Sequence, residues 1–336
     1  MNDNPEKFIF LGVMLALAFL GGAWRGNLSA LLSQNLVSGQ TASALSGVTN
    51  EAGNNSAPVP AAVTPSEVAA PAPAALGVAP QPFRRASAAQ PDAFQAEIGA
   101  VADLATGELY FDHQADRRWP IASITKLMTA AFAVSHMKTS EQVTLQAQDF
   151  LIGGGDLYKA LQVNDRYSAE DLVRAMLIFS SNEAAEALTN AYGRTEFLAG
   201  LNDLAREWQM ADTHFADPTG LSSANQSTAH DLIFAARHLY REHPELLQIT
   251  RTPKTTITEL NNGQSLVIQN INSFAGKPDF VGGKTGFTDE AQGNLLSIFK
   301  YDGRPIVVVV LGSADRFGEA QKLYDWFKTD FAPNPS

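Results

Sequence analysis

Apolar and polar residues alternate at both ends of the region that follows residue 92. Phe94–Asp112 alternates about Ala105–Gly107, which predicts a β-hairpin. Asn294–Gly312 predicts two more strands joined at Asp302–Gly303, because an Asp-Gly pair between apolar runs favours a tight turn. The pattern therefore places strands at both ends of this region.

Helical spacing dominates between these strands. Apolar residues recur at helical intervals after Ser168, Thr195 and Thr228, which belong to residue types that favour the N-cap of a helix. A last helix is predicted over 318–329. This order predicts an α+β fold in which an antiparallel sheet is flanked by helices and a helical lobe is inserted in its sequence.

The N-terminal residues differ in composition. Phe8–Trp24 is uncharged and just long enough to span a membrane, so residues 1–26 are predicted to be a membrane anchor or, alternatively, a cleaved signal segment. Residues 27–92 are rich in Ala, Pro and Ser and are predicted to be a disordered linker. Residues 93–336 then form one folded domain, which we expect outside the cytoplasm at the cell membrane, or secreted if the segment is cleaved.

Charge and composition exclude several classes of function. The 336 residues include 35 acidic and 24 basic side chains, for a net charge of −11, and no cysteine. This charge would repel a polyanion, which argues against nucleic acid as a partner. Because cysteine is absent, covalent chemistry would have to use Ser, Thr, Lys or a carboxylate.

Ser123 and Lys126 are the first candidate catalytic pair. They open a buried helical stretch, where residues three apart share a face and the Ser123 N–H can meet a developing oxyanion. A lysine activates a serine only while it is neutral, which requires burial or a nearby positive charge. The spacing alone is weak evidence, because it recurs at Ser135–Lys138 and Ser297–Lys300.

Two further motifs follow the first. Ser180-Ser181-Asn182 is a polar turn between helical stretches, which can point a hydroxyl and an amide into a cleft or simply cap a helix. Lys284-Thr285-Gly286 follows two glycines in a predicted strand, where another backbone can approach closely.

In this order and at these separations, the three motifs resemble the Ser-x-x-Lys, Ser-x-Asn and Lys-Thr-Gly set of penicillin-binding proteins and serine β-lactamases. The flanking sequences, including HFADPTGLSSANQSTAHDL and GGKTGFTDEAQGNL, resemble the D-alanyl-D-alanine carboxypeptidase family of serine peptidases, the low-molecular-mass penicillin-binding proteins. The likeness runs from about Phe94 to Phe331 and implies the β-lactamase/transpeptidase-like fold.

The resemblance implies a role for each motif. Ser123 would attack the carbonyl between two D-alanines while Lys126 takes its proton. Ser180 would relay a proton to the leaving amine, and Asn182 would bind the substrate and steady Lys126.

The third motif would bind the substrate. Lys284 and Thr285 would engage the terminal carboxylate, and Gly286 would permit strand-like pairing. The backbone N–H of Phe287, with that of Ser123, would hold the oxyanion. Some members of the family have His at the position of Phe287, so substrate preference is open.

The implied activity is a D-Ala-D-Ala carboxypeptidase that acts on peptidoglycan stem peptides, needs no metal or organic cofactor, and is blocked by β-lactams. A DD-endopeptidase is the alternative within the family. A β-lactamase would need a deacylating base, and Glu183 and Glu186 are predicted to lie on a solvated helix face instead. A non-hydrolytic wall-binding or β-lactam-sensing module is disfavoured, because it has no need of a paired serine and lysine.

Overall fold

A five-stranded antiparallel sheet forms the centre of the computed structural model, which describes residues 81–86, 89–91, 93–151 and 160–333. From one edge to the other, the strands are β10 (Phe280–Thr288), β11 (Gln292–Tyr301), β12 (Arg304–Ser313), β2 (Ile98–Asp103) and β3 (Leu109–His113). Both predicted strand pairs, about Ala105–Gly107 and Asp302–Gly303, are confirmed. Strand β10 lies at one edge, so one side of its backbone is open to a ligand.

Short strand pairs surround the sheet. They are β1 (Arg84–Arg85) with β13 (Phe331–Ala332), β4 (Trp119–Pro120) with β7 (Gln226–Ser227), β5 (Gln142–Thr144) with β6 (Arg166–Ser168), and β8 (Lys254–Thr258) with β9 (Ser265–Gln269).

Seven α-helices are found in the described residues. They are α1 (Thr125–His136), α2 (Ala169–Ile178), α3 (Asn182–Tyr192), α4 (Arg194–Glu207), α5 (Ala229–Glu242), α6 (Pro244–Arg251) and α7 (Arg316–Asp330). The first six lie between β3 and β10 in sequence, as the inserted lobe requires. Two 3₁₀ turns, Ala122–Ile124 and Ala147–Phe150, precede α1 and follow β5.

The sheet separates two hydrophobic cores. Val307, Val309 and Leu311 of β12 pack with the helical lobe, whereas the alternate residues Ile306 and Val308 pack against α7. This alternation follows from the two-residue period of a strand. It explains why β12 is apolar on both faces.

Two of the three expected helix caps are confirmed. Ser168 accepts a hydrogen bond from the backbone N–H of Asp171, and Thr228 accepts one from Asp231. The third prediction is wrong, because α4 begins at Arg194 and Gly193 takes the cap position without a side-chain bond. Thr195 therefore lies inside the first turn of that helix.

The end of the predicted linker belongs to the folded unit. Arg84 and Arg85 pair with Ala332 and Phe331, and the buried Phe83 ring packs on Phe327 with ring centroids 5.4 Å apart. The boundary placed at residue 93 is therefore too late. The Ala- and Pro-rich composition of the predicted linker gave no indication that Phe83 is buried in the fold.

The predicted anchor Phe8–Trp24 lies outside the described residues. Within the described part of the chain, no helix has both the length and the apolar character to cross a membrane.

Candidate active site

Ser123 lies in the 3₁₀ turn that leads into α1. The preceding residue, Ala122, has a positive φ of 48°, an uncommon backbone conformation for a residue with a side chain. Gly220 packs directly beneath this turn, since a Cβ on Gly220 would lie 1.9 Å from the Ala122 carbonyl oxygen. Tertiary contact thus holds the turn that carries Ser123. Its strained backbone at Ala122 is of the kind that clusters at active sites.

Lys126 is fully buried and points its amine at three oxygen atoms. Its Nζ lies 2.9 Å from Ser123 Oγ, 2.8 Å from Asn182 Oδ1 and 2.7 Å from the Thr219 carbonyl oxygen. A neutral amine has two N–H donors and one lone pair. If Asn182 and Thr219 accept the two N–H groups, the lone pair faces the Ser123 hydroxyl, as a general base requires.

The electrostatics of Lys126 favour that neutral form. Burial lowers its pKa to about 7, against the opposing effect of the carboxylates of Asp217, Glu183 and Glu186. A large fraction of this amine is therefore unprotonated near neutral pH. Of the two causes expected from the sequence, burial is the one that lowers the pKa.

In the Ser180–Asn182 turn, the first and last side chains contact the two lysines of the cleft. Ser181 is the N-cap of α3, because its Oγ accepts a hydrogen bond from the Ala184 N–H at 3.1 Å. Ser180, with a φ of 67°, instead accepts a hydrogen bond from Lys284 Nζ at 2.9 Å. The sequence left open whether this motif caps a helix or faces the cleft. In the structure Ser181 caps the helix and Ser180 faces the cleft.

Lys284 is also buried, and it carries no carboxylate partner among the described residues. Burial lowers its pKa well below the ordinary value, and the charges of Lys126 and Arg316 lower it further. Its Nζ donates to Ser180 Oγ and to the Thr285 carbonyl oxygen, both at 2.9 Å. Lys284 therefore links the second and third motifs at the bottom of one cleft.

The rest of the third motif lies along β10. A Cβ on Gly286 would come within 3.1 Å of the Ser123 backbone nitrogen and 2.8 Å of the Ile121 carbonyl oxygen. Only glycine allows the strand to approach the serine turn this closely. Thr285 is buried, whereas the Phe287 side chain is 59% exposed.

Sequence analysis missed the loop that supports Lys126. The carboxylate of Asp217 accepts hydrogen bonds from the Thr219 N–H and Oγ1, the Gly220 N–H and the Ser222 N–H. This network fixes the Thr219 carbonyl against the lysine. The signal was the Asp-Pro-Thr-Gly sequence, which contains a turn-forming aspartate whose target lies far away in the chain.

Arg316 is a second residue that sequence analysis missed. It begins α7 and donates from Nη1 to the Gly286 carbonyl oxygen at 2.8 Å. No carboxylate of the described residues forms an ion pair with it, so the cleft contains an uncompensated guanidinium beside Lys284. The sequence offered no motif that could have indicated it.

The prediction for Glu183 and Glu186 is wrong. Both are buried, because α3 is packed between neighbouring helices, with 4% and 1% of their surfaces exposed. Glu186 forms an ion pair with Arg194, and Glu183 accepts a hydrogen bond from Ser181 Oγ at 2.9 Å. Their negative charges raise the pKa of Lys126.

The chain resembles known proteins of one enzyme class over most of its length. The sequence profile of D-alanyl-D-alanine carboxypeptidases matches residues 85–315. A D-alanyl-D-alanine endopeptidase of Pseudomonas aeruginosa is 31% identical over 68% of this chain and 76% of its own length. A D-alanyl-D-alanine carboxypeptidase of Mycobacterium tuberculosis is 28% identical over 71% of this chain and 84% of its own.

The fold has the same relatives. Penicillin-binding protein D2 of Listeria monocytogenes, solved in an ampicillin-bound form, superposes with a TM-score of 0.63 and 30% identity over 70% of this chain and 98% of that one. The β-lactamase/transpeptidase-like architecture expected from the motifs is confirmed. The protein is a serine peptidase, and the chain belongs to the D-alanyl-D-alanine carboxypeptidase family.

Proposed function

We propose that the protein hydrolyses the D-Ala–D-Ala bond at the end of peptidoglycan stem peptides through an acyl-enzyme on Ser123. The observation that carries this proposal is the Lys126 amine, which is buried, has a pKa of about 7 and lies 2.9 Å from the serine hydroxyl. A base with a pKa near the working pH is the most effective general base.

In the proposed acylation, the Ser123 oxygen attacks the carbonyl carbon and Lys126 accepts the hydroxyl proton. The proton then passes by way of Ser180, whose Oγ accepts a hydrogen bond from Lys284, to the nitrogen of the departing D-alanine. The developing oxyanion is held by the backbone N–H groups of Ser123 and Phe287. Water then cleaves the ester and releases the shortened peptide.

The negative charge of the substrate carboxylate complements the positive charge of the cleft. The side chains of Lys126, Lys284 and Arg316 bring three basic groups together at the edge of β10. A terminal carboxylate between Lys284 and Thr285 would offset that charge, and would raise the pKa of Lys284 as it binds.

A second candidate, a DD-endopeptidase that cuts cross-links, is supported by the Pseudomonas aeruginosa relative, which is named as one. A β-lactamase is disfavoured. The two carboxylates considered as deacylating bases are engaged by Ser181 and Arg194.

Active-site labelling tests the nucleophile. Wild type, Ser123→Ala and the matched control Ser135→Ala, whose serine has the same spacing to a lysine but lies near the end of α1, are incubated with a fluorescent penicillin. Intact mass should show a stable one-to-one adduct on wild type and Ser135→Ala and none on Ser123→Ala. Turnover of diacetyl-Lys-D-Ala-D-Ala then measures carboxypeptidase action, and a folded wild type that forms no adduct would overturn the proposal.

We also propose that residues 1–26 tether the enzyme to the cell membrane. Support comes from the uncharged run Phe8–Trp24 and from a substrate that lies outside the cytoplasm. Fractionation of cells that express the full chain should recover it with membranes, whereas a chain that lacks residues 1–26 should not be recovered there. Recovery of a shortened chain in the soluble fraction would indicate cleavage instead.

A further inference from the structure

The segment that leads into the serine turn is held from two sides by buried asparagines. Trp119–Pro120 forms β4, and Ala122–Ile124 forms the turn that carries Ser123. Asn225 contacts this segment from the loop before β7, and Asn294 contacts it from β11. Both asparagines are 0% exposed. The proposed acylation step uses neither of them.

The Asn294 side chain joins this segment to the central sheet. Its Nδ2 donates a hydrogen bond to the Pro120 carbonyl oxygen at 2.8 Å, and its Oδ1 accepts one from the Gly312 N–H of β12 at 2.9 Å. A side-chain amide can donate and accept at the same time, as this position between two backbones requires. Asn294 thus fixes the chain where it leaves β4, just before the nucleophile.

Asn225 holds the same segment from the helical lobe. Its carbonyl oxygen accepts a hydrogen bond from the Ile121 N–H at 3.0 Å, and its Nδ2 donates to Thr125 Oγ1 at 3.1 Å. The Nδ2 also donates to the Asp217 carbonyl oxygen at 2.8 Å, while Oδ1 accepts from the N–H groups of Ala216 and Asp217. Both donors and both lone pairs of this amide are therefore used. Asn225 is fixed in its own loop and binds residues on both sides of the nucleophile.

The segment held in this way contains a strained residue. Ala122 has a φ of 48°, which costs free energy for any residue that carries a Cβ. Such a conformation persists only where the surrounding structure over-determines it. The hydrogen bonds at Pro120 and Ile121 lie on one side of Ala122, and the bond at Thr125 lies on the other. Together they supply that constraint.

We infer that Asn225 and Asn294 are positioning residues that hold the Ser123 turn in its strained, reactive conformation. This inference rests on the proposed function, in which Ser123 supplies both the attacking oxygen and one N–H to the oxyanion. Because both groups belong to one turn, a small rotation of the turn misplaces both at once. The proposed carboxylate site, Lys284 and Thr285, lies on β10, so binding of the ligand before acylation does not depend on the turn.

Two variants loosen the segment from opposite sides. Asn294→Ala removes both hydrogen bonds of that side chain, and Thr125→Val keeps the shape of its side chain but removes the bond from Asn225. Asn272→Ala is the control, since Asn272 is also buried and its Oδ1 accepts one backbone N–H at 3.0 Å, in the loop before β10. Stopped-flow labelling over a range of fluorescent penicillin concentrations gives the maximal acylation rate and the half-saturating concentration.

We expect both variants to lower the maximal acylation rate about 10-fold, because a misplacement of about 1 Å can cost up to about 100-fold. The half-saturating concentration should change less than ~3-fold, since ligand binding is intact. The pH dependence of the rate should not move, because neither change removes a contact of Lys126. Asn272→Ala should melt at a lower temperature but be acylated at the wild-type rate.

A second substitution separates positioning from general stability. Glycine adopts a positive φ without the steric cost that alanine pays, so Ala122→Gly removes the need for the constraint. Added to Asn294→Ala or to Thr125→Val, it should restore the acylation rate to within ~3-fold of the Ala122→Gly single variant. A purely structural loss would not be restored in this way.

A wild-type acylation rate in either Asn294→Ala or Thr125→Val would overturn the inference and leave the proposed function intact. A loss that Ala122→Gly does not restore, or an equal loss in Asn272→Ala, would also overturn it. If Asn294→Ala does not fold, Thr125→Val decides by the same criteria. A folded wild type that is not acylated would overturn the proposed function itself.

Discussion

Two lysines are buried in the cleft to nearly the same extent, yet their surroundings have opposite charge. Lys126 has the carboxylates of Asp217, Glu183 and Glu186 nearby, and its pKa is lowered to about 7. Lys284 has Lys126 and Arg316 nearby, and its pKa is lowered well below the ordinary value. Burial lowers the pKa of both lysines, whereas the neighbouring charges act in opposite directions: the carboxylates raise the pKa of Lys126, and the two cations lower that of Lys284.

The difference indicates a division of labour. A lysine that titrates near neutral pH can accept a proton and return it within one catalytic cycle. A lysine beside other cations favours an anionic ligand, whose negative charge raises the pKa of the amine and offsets the neighbouring positive charges. The first environment suits a base, and the second suits a receptor for a carboxylate.

Removing the base should have the largest effect. Lys126→Met keeps the bulk of the side chain but removes the lone pair, and we expect penicillin acylation to fall about 10³-fold, within the range for loss of a general base. Stopped-flow labelling measures it. Lys138→Met, at an exposed position with the same spacing to a serine, is the control. A loss below tenfold would show that another group activates Ser123.

Removing the Lys284 amine should lower activity less than removing Lys126, and the loss should depend on whether the substrate has a terminal carboxylate. Lys284→Met is expected to reduce kcat/KM for diacetyl-Lys-D-Ala-D-Ala about 30- to 100-fold, because a charged hydrogen bond to the carboxylate is lost. Substrate whose terminal carboxylate is converted to an amide should lose much less. Lys254→Met, at the exposed lysine of a Lys-Thr pair in β8, should change neither value.

Asp217→Asn disturbs the support of Lys126 without touching the substrate. An amide cannot accept all the hydrogen bonds that the carboxylate accepts, so we expect acylation to fall about tenfold and the melting temperature to drop. The acylation rate should rise with pH as Lys126 loses its proton. Because Asp217 raises the pKa of Lys126, this rise should move to lower pH in the variant. An unchanged profile with lower stability would mean that the aspartate is only structural.

Glu186→Gln should give the smallest effect. Its charge is the last of the three causes that raise the pKa of Lys126, so the pH profile should shift slightly to lower pH with less than a threefold change in the maximal rate. Glu170→Gln, which removes one of the two carboxylate partners of Arg174 on α2, is the control. A shift to higher pH would contradict the assigned sign.

Local features of the sequence predicted much of the fold. Ser168 and Thr228 cap helices through their immediate neighbours, and Asp302–Gly303 turns a hairpin, so the necessary information lies within a few residues. The motifs were also sufficient to gather Ser123, Lys126, Ser180, Asn182 and the third motif in one cleft. Their catalytic and binding roles remain predictions.

What escaped prediction depends on contacts distant in sequence. Glu186 is buried because Arg194 and the neighbouring helices cover it, although its own helix looks amphipathic. Asp217 acts on a lysine about 90 residues away through a carbonyl oxygen that any residue could supply. Arg316 reaches the cleft only because α7 begins beside β10. A single sequence does not show which residues will cover a helix face or which distant residue a side chain will contact.

The pairing of β1 with β13 brings the two ends of the folded unit side by side, with Arg84 opposite Ala332. A short Gly-Ser linker could join these ends, and new ends could be opened at the exposed Asn262–Gly263 turn of the β8–β9 hairpin. In such a circular permutant, Lys-Thr-Gly would precede Ser-x-x-Lys and Ser-x-Asn, while the cleft would keep its geometry. The motif order that marks this family in sequence is thus a matter of where the chain is opened, and the chemistry belongs to the arrangement in space.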